Sequence, residues 1–353
     1  MNHSLAPQLE EINRRLIQMA LAIQQVPAPT FSEAERSAFV YQKFLEEGLE
    51  EVSQDHLGNV YARLPGTGEW PPLVITAHLD TVFPLGADLQ VRAAEREIYG
   101  PGLGDNALGV AGLFGLLWLI KASLSSQGAP GGIGPASFPG DCWLVANVGE
   151  EGLGNLRGMR QVVKRFGDHV LGYIVLEGMA LGQVYHRGLG VKRYRVAVRT
   201  PGGHSWVDYG KPSAIHELAR LITQLARLPL PTQPHTTLNV GVVSGGISIN
   251  TIAAEATMEL DLRSEEMGAL AELVSRVEAV VASFNRGEIS AALEAIGERP
   301  AGGIAASHPL VRLARRTLVS LDIRPNLTVG STDANIPLSL GIPAVCLGLT
   351  TGG

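Results

Sequence analysis

The chain has 353 residues, of which 45% are hydrophobic and 18% charged, and carries a net charge of -6. That balance excludes a disordered or fibrous chain, the length exceeds one usual core so that two domains are expected, and an acidic chain without a basic cluster points away from nucleic acid or an anionic membrane. No uninterrupted apolar run reaches the roughly 18 residues of a membrane span and no secretory leader opens the chain, so a cytoplasmic protein acting on small molecules or peptides is expected.

In chain order, Leu9, Ile12, Leu16, Met19 and Ile23 recur at helical spacing, and PAPT ends that helix. Ser32 and Glu35 have the spacing of a capping box for a second helix carrying Phe39, Val40, Phe44 and Leu45, which Gly48 closes. An antiparallel pair is expected from Glu51 to Leu64. Three apolar strands follow, PLVITA (72–77), CWLVANV (142–148) and GYIVLE (172–177), with an apolar helix from Ala107 to Ile120 between the first two. Strands alternating with helices predict an α/β domain with a central, largely parallel sheet covered on both faces. The Gly/Pro/Ser-rich stretch from Ser125 to Gly140 reads as a long loop. Cys142 and Cys346 stand inside apolar runs and read as small buried hydrophobes, not as a disulfide.

From Gly188 the pattern changes. VKRYRVAVRT, TTLNVGVVS, ATMELDLRS and ISAALEAIG read as strands, SAIHELARLITQLARL and GALAELVSRVEAVVASF as helices, and their order is the ferredoxin-like β-α-β-β-α-β unit. Residues 188–300 are therefore expected to be a domain inserted into an α/β domain made of residues 1–187 and 301–353. The latter resumes with a helix near Pro309 to Leu321 and a last strand, IPAVCLGL.

The chemistry collects at the ends of the predicted strands. VITA runs into His78 and Asp80, CWLVANV into Glu150 and Glu151, and GYIVL into Glu177, while Asp105 sits in a Gly-rich loop before the helix at Ala107. Ligand sites of open α/β sheets lie at the carboxyl ends of their strands, so these groups are expected in one crevice. Each has an ordinary explanation alone: a hydrogen-bonded strand-end His, a solvated Glu-Glu turn, an Asp N-cap. Together, four carboxylates and an imidazole in an apolar crevice repel at a cost of several kcal/mol unless a cation compensates. Carboxylate and imidazole suit zinc, manganese or cobalt. Asp80, two residues along the strand from His78, is placed to accept the second ring N–H and fix its tautomer. Glu150 and Glu151 can divide the roles of general base and ligand, and Asp105 can bridge two ions roughly 3.5–4 Å apart.

AHLDTV, GPGLGDNALGVAG, GEEGLGNLRG, VLEG, GGHSW and GGISINTIAAEATMELDLRS resemble, in this order over almost the whole chain, the co-catalytic zinc peptidases and amidohydrolases that include carboxypeptidase G, peptidase T, acetylornithine deacetylase and succinyl-diaminopimelate desuccinylase. The resemblance implies a zinc-exopeptidase-like catalytic domain with two divalent ions, zinc first and cobalt or manganese as substitutes. It implies that His78 and Glu177 bind ions in different halves of the site, that Asp105 bridges, that Glu151 completes the second half, that Glu150 is the general base and that Asp80 orients His78. The inserted domain resembles a lid and dimerisation domain in which His204 polarises the scissile carbonyl and Asn250 and Arg263 hold a substrate carboxylate. The implied substrate is a small peptide or N-acyl amino acid cleaved beside a free carboxylate. A tripeptide aminopeptidase of the peptidase T type and a non-catalytic binding relative are the alternatives, and a phosphoesterase is disfavoured for lack of basic residues to clamp phosphate. The family places a last metal-binding histidine beyond IPAVCLGL; none of the nine histidines stands there, His308 being upstream, so either the chain continues past Gly353, the favoured expectation, or one ion is held by fewer protein ligands.

Overall fold

The computed structural model describes residues 6–95, 97–126, 138–178 and 180–351. The core of the expected loop from Ser125 to Gly140, residues 127–137, lies outside them. The chain divides into two compact units, Met1–Arg187 with Gly303–Gly353, and Gly188–Gly302.

The first unit opens with α1 (Ala6–Gln24) and α2 (Ala34–Glu46). Of the residues that recur at helical spacing, Ile12, Ile23, Val40 and Phe44 are buried in one cluster, whereas Leu9 and Leu45 are exposed. The expected capping box is absent: α2 begins at Ala34, and Glu33 at its N-cap makes no side-chain cap. The Glu33 carboxylate instead accepts two bonds from Arg157 Nη2, at 2.7 and 2.8 Å. The side chain at the N-cap position is thus committed to an ion pair across the fold.

The sheet contains β1 (Glu50–Gln54), β2 (Val60–Leu64), β3 (Leu73–His78), β4 (Cys142–Asn147), β5 (Gly172–Glu177) and β6 (Gln183–Gly188). Later segments complete it after the second unit's strands β7 (Gly190–Arg199), β8 (Thr236–Gly245), β9 (Glu255–Ser264) and β10 (Ser290–Arg299), namely β11 (Asn326–Gly330) and β12 (Ala344–Gly348). Its order is β1-β2-β4-β3-β5-β12-β6, with β11 and the two-residue strand Gly302–Gly303 beside β6. The four central strands are parallel, and β2 and β6 join them antiparallel. Both faces are covered, which is why the central strands read as unbroken apolar runs. Ile75, Ala77, Leu144 and Ala146 face the cluster shared with α1, α2 and α3 (Leu108–Ser126), whereas Val74, Trp143, Val145 and Val175 face α4 (Arg157–Phe166). Both cysteines are free and buried.

The α3 region departs from the expectation about apolar runs. Leu103–Ser123 is long and apolar enough to cross a membrane by length and composition, with a mean hydropathy of 1.6. Glycines and the Asp105–Asn106 pair interrupt the apolar letters without lowering the average enough. In the fold this helix packs Val110, Leu113, Phe114 and Leu117 against the sheet. The strands β6 and β11 were also not expected, because β6 mixes polar with apolar residues and the short β11 has no buried residue.

In the second unit the strands form an antiparallel sheet in the order β8-β9-β7-β10. Alternate residues Tyr194, Val196, Val198, Met258, Leu260 and Leu262 pack with α5 (Ala214–Ala226) and α6 (Met267–Ala282) into its core. The opposite face carries cross-strand ion pairs, Arg193 with Asp261 and Arg195 with Glu259.

Candidate metal centre

The ends of β3, β4 and β5 bring the sequence-predicted groups together. His78 is 1% exposed, Asp80 0%, Glu150 6% and Glu177 9%. His78 Nδ1 lies 3.0 Å from the main-chain oxygen of Asp80, to which it donates. Its Nε2 is directed at the acidic groups, 3.1 Å from Asp105 Oδ1 and 3.4 Å from Glu177 Oε1. Donor atoms of His78, Asp105 and Glu177 lie within 4.8 Å of one another, and those of His78, Glu150 and Glu151 form a second such group. His78 and Glu177 therefore share one donor group instead of belonging to opposite halves, because β3 and β5 are adjacent parallel strands that end side by side.

Asp80 acts differently from the expectation. Its Oδ1 is 3.6 Å from His78 Nδ1, and its carbonyl, not its carboxylate, takes the ring proton. The carboxylate accepts the N–H of Glu150 on Oδ1 and of Glu151 on Oδ2, each at 2.9 Å, and the Thr30 hydroxyl on Oδ2 at 2.9 Å. The strand ends at His78, so the strict two-residue repeat no longer governs where the Asp80 carboxylate points.

Asp105 lies in a turn over Leu103–Ala107 entered by Gly102 with φ 66°. This turn presses on the end of β5: a Cβ on Gly178 would stand 1.2 Å from the Gly104 oxygen. Only glycine lets the two backbones meet, and that meeting sets Asp105 beside Glu177.

The electrostatics follow from this crowding. Burial lowers the proton affinity of His78, but Glu177, Asp105 and Asp80 outweigh it and hold its pKa well above the ordinary imidazole value. Burial would raise Asp80, yet His78 and the N–H groups of Glu151 and Glu150 hold it at about 2. Glu151 is pushed up to about 7 by burial and by Asp105, Asp80 and Glu177, against the pull of His78. Asp105 Oδ1 is buried with no hydrogen-bond partner among the described residues. An imidazole nitrogen and hard carboxylate oxygens converging on one point, one of them orphaned, fit a divalent cation of the zinc, manganese or cobalt type. A second proton on Nε2 is the alternative occupant of the same place.

Asp333 was not anticipated. It is fully buried, and its Oδ2 accepts the Asn147 amide at 2.7 Å. Burial, with Asp80 and Glu177 adding to it against His78, lifts it to about 6. It follows β11 by three residues, so a reading that missed this strand had no strand end to assign it to. Asp105 and Glu151 open onto a crevice of about 610 Å³, whose wall includes Ile17, Leu21, Phe83 and Tyr99.

In the second unit, Gly203–His204 pairs with Thr251–Ile252, and the Ser205 N–H donates to the Asn250 carbonyl at 3.0 Å, so His204 and Asn250 are neighbours. His204 Nδ1 accepts the N–H of Trp206 at 3.2 Å and of Val207 at 3.4 Å. Arg263 is not with them. It lies at the Val191 end of β9, eight residues and therefore roughly 26 Å from Glu255, the end near His204. Its Nε donates to Asp261 at 2.5 Å. One carboxylate cannot be held by Asn250 and Arg263 of the same subunit.

Residues 59–182 match the model of peptidase family M28, and residues 189–288 match that of the peptidase dimerisation domain. These two matches, in this order along the chain, support a family of co-catalytic metal-dependent peptidases and amidohydrolases. Among family-like proteins, the uncharacterised YqjE of Bacillus subtilis is 23% identical over 355 residues, covering 95% of this chain and 90% of its own. A Staphylococcus aureus tripeptidase has the same fold with a TM-score of 0.75 at 23% identity, covering 95% of this chain and 89% of that one. A dinuclear metal-binding peptidase of B. subtilis matches with a TM-score of 0.64 at 18% identity over 96% of this chain and 89% of its own. The two peptidase-family matches make the chain a metallopeptidase or amidohydrolase.

Because Glu151 and His78 must shed protons before they can bind a cation, divalent metal is expected to bind more weakly as the pH falls below about 7 and to release protons on binding. Calorimetric titration in buffers of different ionisation enthalpy measures both; pH-independent affinity without proton release would contradict the ligand set. Gly178→Ala is expected to force Asp105 away from Glu177, so that the purified variant holds less than half the metal of the parent by elemental analysis, a loss on the order of a displaced ligand's 10- to 100-fold in affinity.

Proposed function

We propose that the protein hydrolyses a peptide or amide bond of a small peptide or N-acyl amino acid with two divalent ions, zinc fitting the donors best. The observation that carries this is the convergence of His78 Nε2, Asp105 and Glu177 beside the Glu150–Glu151 turn. His78, Asp105 and Glu177 would hold one ion, and Asp105 with Glu151 the other. Bound there, such ions supply Lewis acidity and a nucleophilic water at neutral pH. Glu150 is the general base: its carboxyl takes the proton of the attacking water and returns it to the leaving amine. Asp80 keeps Glu150 in place through its main-chain N–H and orients His78 through its own carbonyl.

The unit at 188–300 serves in this reading as lid and homodimerisation domain, and residues 1–187 with 301–353 as the catalytic domain. Main-chain donors on His204 Nδ1 leave Nε2 as the protonated nitrogen, which suits a group that stabilises a developing oxyanion. Asn250 beside it is the substrate-binding partner. For pairing of two copies, the edge strand β8 offers Val242 and Val243, 53% and 58% exposed. A cytoplasmic setting agrees with two free cysteines.

Carboxypeptidase or deacylase action follows from Glu at position 177, by resemblance. A specific observation favours the aminopeptidase alternative: Arg263 is engaged by Asp261, and the charged residue lining the crevice besides the ligands Asp105 and Glu151 is the acidic Glu97. Both weigh against a bound carboxylate on that side.

N-acyl amino acids, dipeptides and tripeptides assayed with zinc, manganese and cobalt identify the substrate end. Glu150→Gln is expected to lower kcat by about 10²- to 10⁴-fold while metal content stays at the parent level. Parental turnover in Glu150→Gln, or a metal-loaded parent inert on every amide, would overturn the reading.

A further inference from the structure

We propose that Thr30 is a positioning residue of the metal centre, setting through Asp80 the main-chain turn that carries Glu150 and Glu151. The kinetic part of this inference rests on the hydrolase reading above; the metal-binding part stands without it.

The segment joining α1 to α2 is strapped along the end of β3. The Thr81 N–H donates to the Ala28 carbonyl at 2.9 Å, and Pro29 bridges Thr81. From α2, the buried Arg36 donates from Nη1 to the Leu79 carbonyl at 2.7 Å and from Nε to the Val26 carbonyl at 2.8 Å. One guanidinium thus locks the strap to the strand on either side of the metal ligand's loop.

Thr30 sits in the middle of this strap, and the two ends of its side chain do different things. The hydroxyl donates to Asp80 Oδ2, the oxygen that also accepts the Glu151 N–H. The methyl lies against the far end of the Glu150–Glu151 turn: a Cβ on Gly154 would stand 2.7 Å from Thr30 Cγ2. The near end is held by the same strap through Glu33, whose carboxylate binds Arg157. The Arg157 stem closes on Gly149, where a Cβ would stand 2.7 Å from Arg157 Cγ. Asp80 is thereby the hub between strap and turn, and the Thr30 side chain reaches both hub and turn. Losing its hydroxyl leaves the Asp80 carboxylate held by the Glu150 and Glu151 main-chain donors alone, with Oδ2 no longer anchored to the strap, so the position of the turn is less tightly set.

Valine keeps the methyl packing and removes the donor, whereas serine keeps the donor and removes the methyl. The test titrates metal-free parent, Thr30→Val and Thr30→Ser with Co²⁺, following affinity and visible absorption, and measures kcat and KM on any amide the parent turns over. Thr30→Val is expected to lose about 10- to 100-fold in kcat with KM within about threefold, the scale of one hydrogen bond to a charged acceptor, while Thr30→Ser stays within about threefold throughout. Co²⁺ binding to Thr30→Val is expected to weaken with an altered absorption band. Glu33→Gln, which loosens the other end of the turn without touching Asp80, is the second variant and is expected to weaken Co²⁺ binding in the same direction. Parental Co²⁺ affinity and spectrum in Thr30→Val, or equal damage in Thr30→Ser, would overturn the proposal. A parent without turnover would count against the hydrolase reading alone, since the Co²⁺ arm still decides this one.

Discussion

Three acceptors meet at one buried point: the Nε2 of His78, an oxygen of Asp105 and an oxygen of Glu177. With Nδ1 committed to the Asp80 carbonyl, nothing but a proton or a cation on Nε2 can reconcile them. In its absence the repulsion would open the crevice; in its presence the ends of β3 and β5 and the turn at Asp105 are drawn together. The rest of the first unit serves to keep this conflict from relaxing.

The scaffold does so with rigid pieces. Parallel β4, β3 and β5 are buried on both faces, so the residues at their ends cannot retreat along the strands without unpacking either cluster. Asp80 ties the end of β3 to the turn after β4 through two main-chain hydrogen bonds, and Gly178 lets the Asp105 turn lie directly on the end of β5. The donor set is thus held by backbone rather than by flexible side-chain contacts, which is the condition for a precise metal site.

Much of this was legible in the sequence because it is local. Apolar runs of strand length announced β3, β4 and β5, and their last letters named His78, Glu150, Glu151 and Glu177. The inserted unit showed itself by a change of period at Gly188. What escaped reading depends on contacts far along the chain. The start of α2 is set at Glu33, which binds Arg157, 124 residues away. Asp333 joins the site from β11, a short strand with no buried residue. The separation of Arg263 from His204 emerges only from the antiparallel register of β7 and β9, which puts residues close in sequence pattern at opposite ends of a sheet. The role of Thr30 likewise needs the strap to be laid against β3 before its hydroxyl has anything to hold.

The central claim is that the carboxylates and imidazole at these strand ends exist to bind divalent ions. The most direct measurement is anomalous X-ray diffraction at the zinc edge from crystals grown with zinc. The account predicts two strong peaks in the crevice, one ligated by His78, Asp105 and Glu177 and the other touching Asp105 and Glu151. A crevice without an anomalous peak, with His78 still directed at the carboxylates, would contradict it.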